Sequence, residues 1–257
     1  MIIVLSPAKS LDYESALSWK TATQPAFLER SEELVGLLQK KSPAELSSLM
    51  GISDQLAALN VARYADWTRE YSAPQGRQAV FAFNGDVYDG LDARTLDRAG
   101  INWLQSHVRV LSGLYGVLRP LDLMLPYRLE MGTRLANPRG KDLYAFWGDI
   151  PARALNEAFE NDSKPVLVNL ASDEYFKAVK RPALKADVIQ PVFQDWKGGQ
   201  YKVISFFAKR ARGLMARYAA EHRIRDATAL RSFTVGGYAL DEDASSAGKW
   251  IFRRRLD

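Results

Sequence analysis

The sequence contains no cysteine, which excludes disulfides, thiolate catalysis and cysteine-ligated metal. Histidine is scarce as well. His107 and His222 are the two in the chain, neither lies in an HExxH or comparable pattern, and each reads as structural. There is no Gly-rich Walker loop and no GxGxxG, so the common nucleotide-binding turns have no support. No cofactor and no metal ion is expected. No apolar run approaches the roughly 20 residues needed to cross a bilayer, and Met1–Leu5 is too short and lacks the basic start of a signal peptide. The cytoplasm is therefore the expected location. Repeats, low-complexity tracts and long linkers are missing too.

What is present is enough for a full hydrophobic core: 257 residues, 47% of them hydrophobic. Buried strands are expected at Ile2–Leu5, Ala79–Phe83, Val108–Leu111 and Val166–Leu170. Helices are expected at Pro25–Lys41, at Leu91–His107 with a break at Gly100, over Lys141–Asn161 in two pieces split near Gly148–Pro151, and at Ser172–Val179. Asp187–Trp196 and Tyr201–Ile204 read as a hairpin around Gly198-Gly199, with Pro191 at an edge or bulge. Strands mixed with helices favour an α/β (α+β) fold, a mixed β-sheet surrounded by helices, over any all-α or all-β design.

The stretch Ser42–Arg63 reads as two short helices joined by a tight turn at Gly51-Ile52-Ser53. Ser42 is an N-cap with Pro43 behind it, Gly51 permits a turn that other residues resist, and small Ala57 allows the helices to approach closely. The layout resembles a helix-hairpin-helix over about 42–71, in which backbone N–H groups meet one phosphate oxygen whatever the base. The usual hairpin is Gly-apolar-Gly; here Ser53 takes the third place, where it serves as an N-cap, and Asp54 beside it is uncomfortable next to a phosphate.

The formal net charge is +5, and the last 57 residues carry 12 Lys/Arg against 6 Asp/Glu, so the positive excess lies entirely in the final quarter. Such an excess attracts phosphate backbones in a salt-dependent way. In the expected helix Ser205–His222, Phe207, Ala211, Leu214, Met215 and Tyr218 fall on one face and Lys209, Arg210, Arg212 and Arg217 on the other. Trp250–Arg255 reads as a closing strand whose arginines extend that surface. Ser6-Pro7-Ala8-Lys9 matches an SxxK spacing but follows a strand rather than opening a helix, which makes the match coincidental. Lys9 keeps interest as a cation at a strand's C-terminal end, where open α/β sheets place ligands. Asp241-Glu242-Asp243 lacks calcium-loop spacing and reads as an exposed acidic turn.

Six segments are odd for a plain core: Ser6–Asp12, Phe83–Leu91, Leu111–Asp122, Tyr127–Gly132, Asn169–Phe176 and Lys209–Met215. In this order, followed by Gly236-Gly-Tyr238 and the acidic turn, they resemble the YaaA family of bacterial peroxide-stress proteins across essentially the whole chain. The resemblance implies one compact α/β unit spanning 1–257, in a cytosolic bacterial protein induced under hydrogen peroxide that limits free iron and oxidative damage. It also implies DNA binding through a helix-hairpin-helix and a positively charged cleft.

Read physically, Ser112-Gly113 and Tyr115-Gly116 follow a strand, Arg119 and Arg128 supply charge, and Pro120 and Pro126 stiffen the loop between them. The plainer reading of Arg128 and Glu130 is a structural ion pair. The expected partner is DNA, duplex or distorted and partly single-stranded, bound without sequence preference by Gly51, Ile52, Ser53, Arg63, Lys9, Arg119, Arg128, Lys209, Arg210 and Arg212. A monomer is the favoured state. The alternative is an enzyme acting on a nucleotide or damaged base in the cleft through Lys9, Ser112, Asp173 or Glu174. Direct iron storage fits poorly, since no paired Glu-x-x-His motif is present.

Overall fold

Ile2–Leu5 has no polar side chain to offer solvent, and in the computed structural model, which describes residues 1–159 and 162–255, all four residues are buried in the middle of an eight-stranded sheet. The strands of that sheet are β1 (Ile2–Leu5), β2 (Val108–Ser112), β3 (Gly116–Leu118), β4 (Val166–Leu170), β5 (Asp187–Lys197), β6 (Gln200–Lys202), β7 (Ala239–Ser246) and β8 (Lys249–Arg254). They lie in the order β7-β8-β5-β4-β1-β2-β3, with β6 on the far end of β5.

The pairs β1–β2, β1–β4, β4–β5 and β5–β8 are parallel, and β3, β6 and β7 add antiparallel edges. The parallel strands taken in chain order therefore sit 2-1-3-4-5, a doubly wound arrangement. β1 and β4 read as near-continuous apolar runs because parallel strands are covered on both faces. The fold is α/β, as the mixture of strands and helices indicates. Pro191 lies where β5 pairs only with β8, past the residues that pair with β4 and before those that pair with β6.

Two helices pack with almost no space between them. Asp86–Leu91 crosses the long helix Ser205–Glu221 at Gly90 and Gly213. A Cβ on Gly90 would overlap the Arg210 carbonyl oxygen, and one on Gly213 would overlap that of Val87. Backbone contact of this kind is open only to glycine.

Several sequence expectations are corrected. Ala79–Phe83 is not a strand: Ala79–Ala82 forms one helical turn, and only Phe83–Asn84 extends, pairing with Ser10–Leu11. All four residues of that turn are buried, so apolar content alone did not fix its conformation. Gly100 does not break a helix. It lies in the first turn of Arg98–His107, where its N–H donates to the Asp97 N-cap, and the chain breaks earlier, at Asp92, which takes a left-handed conformation.

The helix expected to run to Tyr71 ends at Ala65. The chain turns there so that Trp67 can donate from Nε1 to the Tyr115 hydroxyl at 3.1 Å and Tyr71 can donate to the Leu123 carbonyl at 2.9 Å. Residues 160 and 161, at the end of the helical piece expected over Lys141–Asn161, lie outside the described residues; Leu143–Trp147 and Ile150–Glu157 form its two parts.

Candidate functional site

β1 and β4 end side by side, Leu5 opposite Leu170, and from there the chain leaves β1 towards β2 on one side and β4 towards β5 on the other. Loops that diverge in this way open a crevice at the carboxyl ends of the strands. A cleft of about 450 Å³ lies there, walled by Ser6–Ser10, Asn84–Tyr88, Tyr127–Glu130, the start of the Asp173–Phe176 turn, and Lys209 and Arg212 from the long helix. Five of the six segments singled out in the sequence meet in it. The sixth, Leu111–Asp122, lies behind the wall.

The two strand-end loops are stapled together. The Ser172 N–H donates to the Ser6 hydroxyl at 2.9 Å, and the Tyr88 hydroxyl donates to the Ser6 carbonyl at 3.0 Å. Ser112 is fully buried; its hydroxyl lies 2.6 Å from that of Tyr127 and accepts the Tyr115 N–H at 2.9 Å. It does not line the cleft and has no route to a substrate, so it is removed from the candidate reacting groups. Burial pushes the Tyr88, Tyr127 and Tyr175 hydroxyls well above the ordinary phenol range, so all three are neutral hydrogen-bonding groups at physiological pH.

The charge in the cleft is more balanced than the sequence suggested: four cations, Lys9, Arg128, Lys209 and Arg212, face three carboxylates, Asp86, Glu130 and Glu174. Glu130 sits between two of the cations, 3.2 Å from Lys9 Nζ and 3.0 Å from Arg128 Nη2. Glu174 accepts the Gly132 N–H at 2.8 Å, and Lys209 is 3.9 Å from Asp86. Arg212 is the exception. Among the described residues no carboxylate lies within 4.0 Å of its guanidinium, and burial lowers its pKa, with Asp173 acting in the opposite direction. Arg128 also leaves its buried Nε without a partner.

Other expected site residues stand apart. Arg119 is tied to buried Asp122 at 2.9 Å and donates to the Gln24 carbonyl, away from the cleft. Arg63 is half-buried on the helix Asp54–Ala65, where burial lowers its pKa and Tyr13 and Tyr64 oppose that shift. Arg210 is exposed on the long helix, beside the cleft but outside its lining. The face expected to be uniformly basic is divided, because Arg217 is bound to Leu91, Asp92, Thr95 and Glu221. Arg253 pairs with Asp241, and Arg254 with Asp195 at 2.6 Å, so two of the three closing arginines are committed to carboxylates, while Arg255 is exposed with its guanidinium over the Trp196 ring. Asp241–Asp243 belongs to β7 rather than to a turn.

At Gly51 the two short helices meet as anticipated locally. Pro43–Met50 carries a complete capping box between Ser42 and Glu45, Gly51 is left-handed at φ 60°, and the Ser53 hydroxyl caps Asp54–Ala65 by accepting the Leu56 N–H. The Gly51 and Ile52 N–H groups donate to the Ser47 carbonyl, while those of Ser53, Asp54 and Gln55 have no acceptor among the described residues. Ile52 is buried and anchors the turn. The second helix ends against the cleft, where the Tyr64 hydroxyl donates to the Arg128 carbonyl. Tyr64 lies eleven positions after Ser53, placing the turn roughly 16 Å along the helix from that contact.

Sequence reading missed Ser6, Asn84, Asp86 and Ser172 as site residues. All four lie in the segments that the sequence singles out, Ser6–Asp12, Phe83–Leu91 and Asn169–Phe176, at or just beyond strand ends. Among the described residues no group of three or more His, Cys, Asp or Glu side chains could hold a metal ion, and no helix is long and apolar enough to cross a membrane.

Fold and cleft together define an α/β protein with a ligand-sized crevice at the switch point of a doubly wound sheet. The chain belongs to the peroxide stress protein YaaA family, which it matches over residues 1–244. It is 63% identical over 256 residues to a UPF0246 protein of Ralstonia pickettii (strain 12J), covering 100% of both chains. It is also 58% identical over 260 residues to one of Cupriavidus pinatubonensis, again over 100% of both.

Proposed function

We propose that this peroxide-stress family member binds DNA without sequence preference, with the Gly51–Ser53 turn as a helix-hairpin-helix phosphate grip and the cleft cations nearby, and so helps limit iron-dependent damage. The observation that carries the proposal is the set of three N–H groups, at Ser53, Asp54 and Gln55, left open at a capped helix start beside a left-handed glycine. Such a grip contacts backbone rather than base edges, so affinity falls with salt and is indifferent to sequence. Arg63, Arg210 and Arg212, which have no ion-pair partner among the described residues, are among the cations available to add to it. The role in iron damage is indirect, through what is bound.

A clean test exists at Asp54. Ser53 has φ −63° and ψ 156°, a conformation that tolerates a following proline, and Asp54 is the first helical residue, where proline fits. Asp54→Pro thus removes one N–H and one negative charge while the helix is kept, and Asp54→Ala removes the charge alone. In fluorescence-anisotropy titrations with duplex, single-stranded and bubble DNA at two salt concentrations, Asp54→Ala is expected to bind more tightly than the parent. Asp54→Pro is expected to bind several-fold more weakly than Asp54→Ala. Equal affinity of the two variants removes the turn from the interface.

A further inference from the structure

We infer that the switch-point cleft binds a single nucleoside 5′-phosphate, either free or everted from a DNA strand, with the phosphate on Arg212 and the base edge on Asn84. The choice of ligand class rests on the DNA reading above; the cleft itself is established by geometry. Its volume of about 450 Å³ falls in the range of small-ligand sites, roughly 300–1,000 Å³. A duplex, whose major groove alone is about 12 Å wide, cannot enter such a space, whereas one nucleotide can.

Arg212 supplies the anion site. It is a half-buried guanidinium with no carboxylate within 4.0 Å among the described residues, and the neighbouring cations are already shared with Asp86 and Glu130. Desolvated, unpaired cations are costly in a folded protein unless an anion completes them. The unpaired Arg128 Nε marks a second incomplete guanidinium in the same wall. Asn84 is the one carboxamide of the lining, and its side chain makes no hydrogen bond within the described residues. A free carboxamide offers one donor face and one acceptor face, the complement of a base edge. The neutral tyrosines Tyr88, Tyr127 and Tyr175 give the lining an aromatic share against which a planar ring can pack.

The test is isothermal titration of the full chain with each of the four 2′-deoxynucleoside 5′-monophosphates, with thymidine and with inorganic phosphate. At least one monophosphate is expected to bind ten-fold or more tightly than either thymidine or phosphate. Arg212→Met is expected to lose at least ten-fold, and Arg212→Lys to retain part of the affinity. Asn84→Ala, an exposed change that leaves the fold intact, is expected to weaken the nucleotide several-fold without altering phosphate. Monophosphates that bind no better than phosphate, or variants that bind as well as the parent, overturn the inference.

Competition against bubble DNA separates the sources. Displacement supports an everted nucleotide, and nucleotide binding without displacement supports a free one. DNA binding with no nucleotide binding overturns this inference and leaves the hairpin standing; nucleotide binding with no DNA binding does the reverse.

Discussion

Glu130 holds Lys9 and Arg128 in the cleft wall with one carboxylate. Its carboxylate orders both cations and competes with any phosphate oxygen for them. Glu130→Gln is expected to raise DNA affinity several-fold and steepen its salt dependence by about one phosphate contact. The change is also expected to cost about 1–3 kcal/mol of stability, because Arg128 is left partly buried without its counter-charge. Anisotropy at a series of salt concentrations, with denaturant unfolding of the same samples, reads both effects.

At the same scale, His107 stacks on Trp103 at 4.5 Å and 7°. Burial pushes its pKa below the ordinary imidazole value, with a bond to the Trp103 carbonyl opposing the shift and the N-terminus, Arg225 and Arg109 reinforcing it. The unfolded chain therefore takes up this proton at a higher pH than the folded one. Stability from His107 is complete above the ordinary imidazole pKa of about 6.5 and is lost as pH falls through the depressed folded value. His107→Gln is expected to flatten the loss of stability between about pH 7 and pH 5. An unchanged slope in urea unfolding across that range shows that His107 is not the group responsible.

Among the elements, the crossing of Asp86–Leu91 with Ser205–Glu221 matters most for the cleft. Asp86, Val87 and Tyr88 line one wall, Lys209 and Arg212 the other, and Gly90 and Gly213 set their separation. A methyl group at Gly213 meets backbone, which cannot rotate aside, so the helices must part. Gly213→Ala is expected to destabilise by about 1–3 kcal/mol or more, despite alanine's better helix propensity. It is also expected to weaken ligand binding in whatever fraction stays folded. Thermal unfolding and the nucleotide titration read these together; a stability gain from propensity alone would show that the helices do not touch as described.

The Ser42–Arg63 helices are legible in the sequence, because caps, a left-handed glycine and a small residue at the contact are local signals. Ala79–Ala82 is not. Four apolar residues carry no period, and they are held from either side, where Arg77–Gln78 pairs with Leu123–Met124 and Phe83–Asn84 with Ser10–Leu11.

At the level of the whole molecule, charge shows how far a linear count reaches. The excess of lysine and arginine in the final quarter is real, yet Arg217, Arg231, Arg253 and Arg254 are all bound to carboxylates. Paired surface charges contribute little to a long-range field. Lys202, Arg210, Arg212, Arg225, Lys249 and Arg255 have no carboxylate within 4.0 Å among the described residues, and of these Arg212 lines the cleft.

Sequence by itself determined the fold class, the strands β1 and β4, the capped turn at Gly51 and the family, since each is written in contiguous residues whose period, caps or order can be read along the chain. Tertiary structure alone decided the cleft. Its walls come from residues as distant as Ser6 and Arg212, brought together by a 2-1-3-4-5 strand order that no local pattern encodes. The pairing of Arg128 with Glu130 can be read along the chain, but only in three dimensions does Glu130 also meet Lys9 while Arg212 is left without a carboxylate within 4.0 Å among the described residues, because distant residues pair by their positions in the fold and not by their order along the chain.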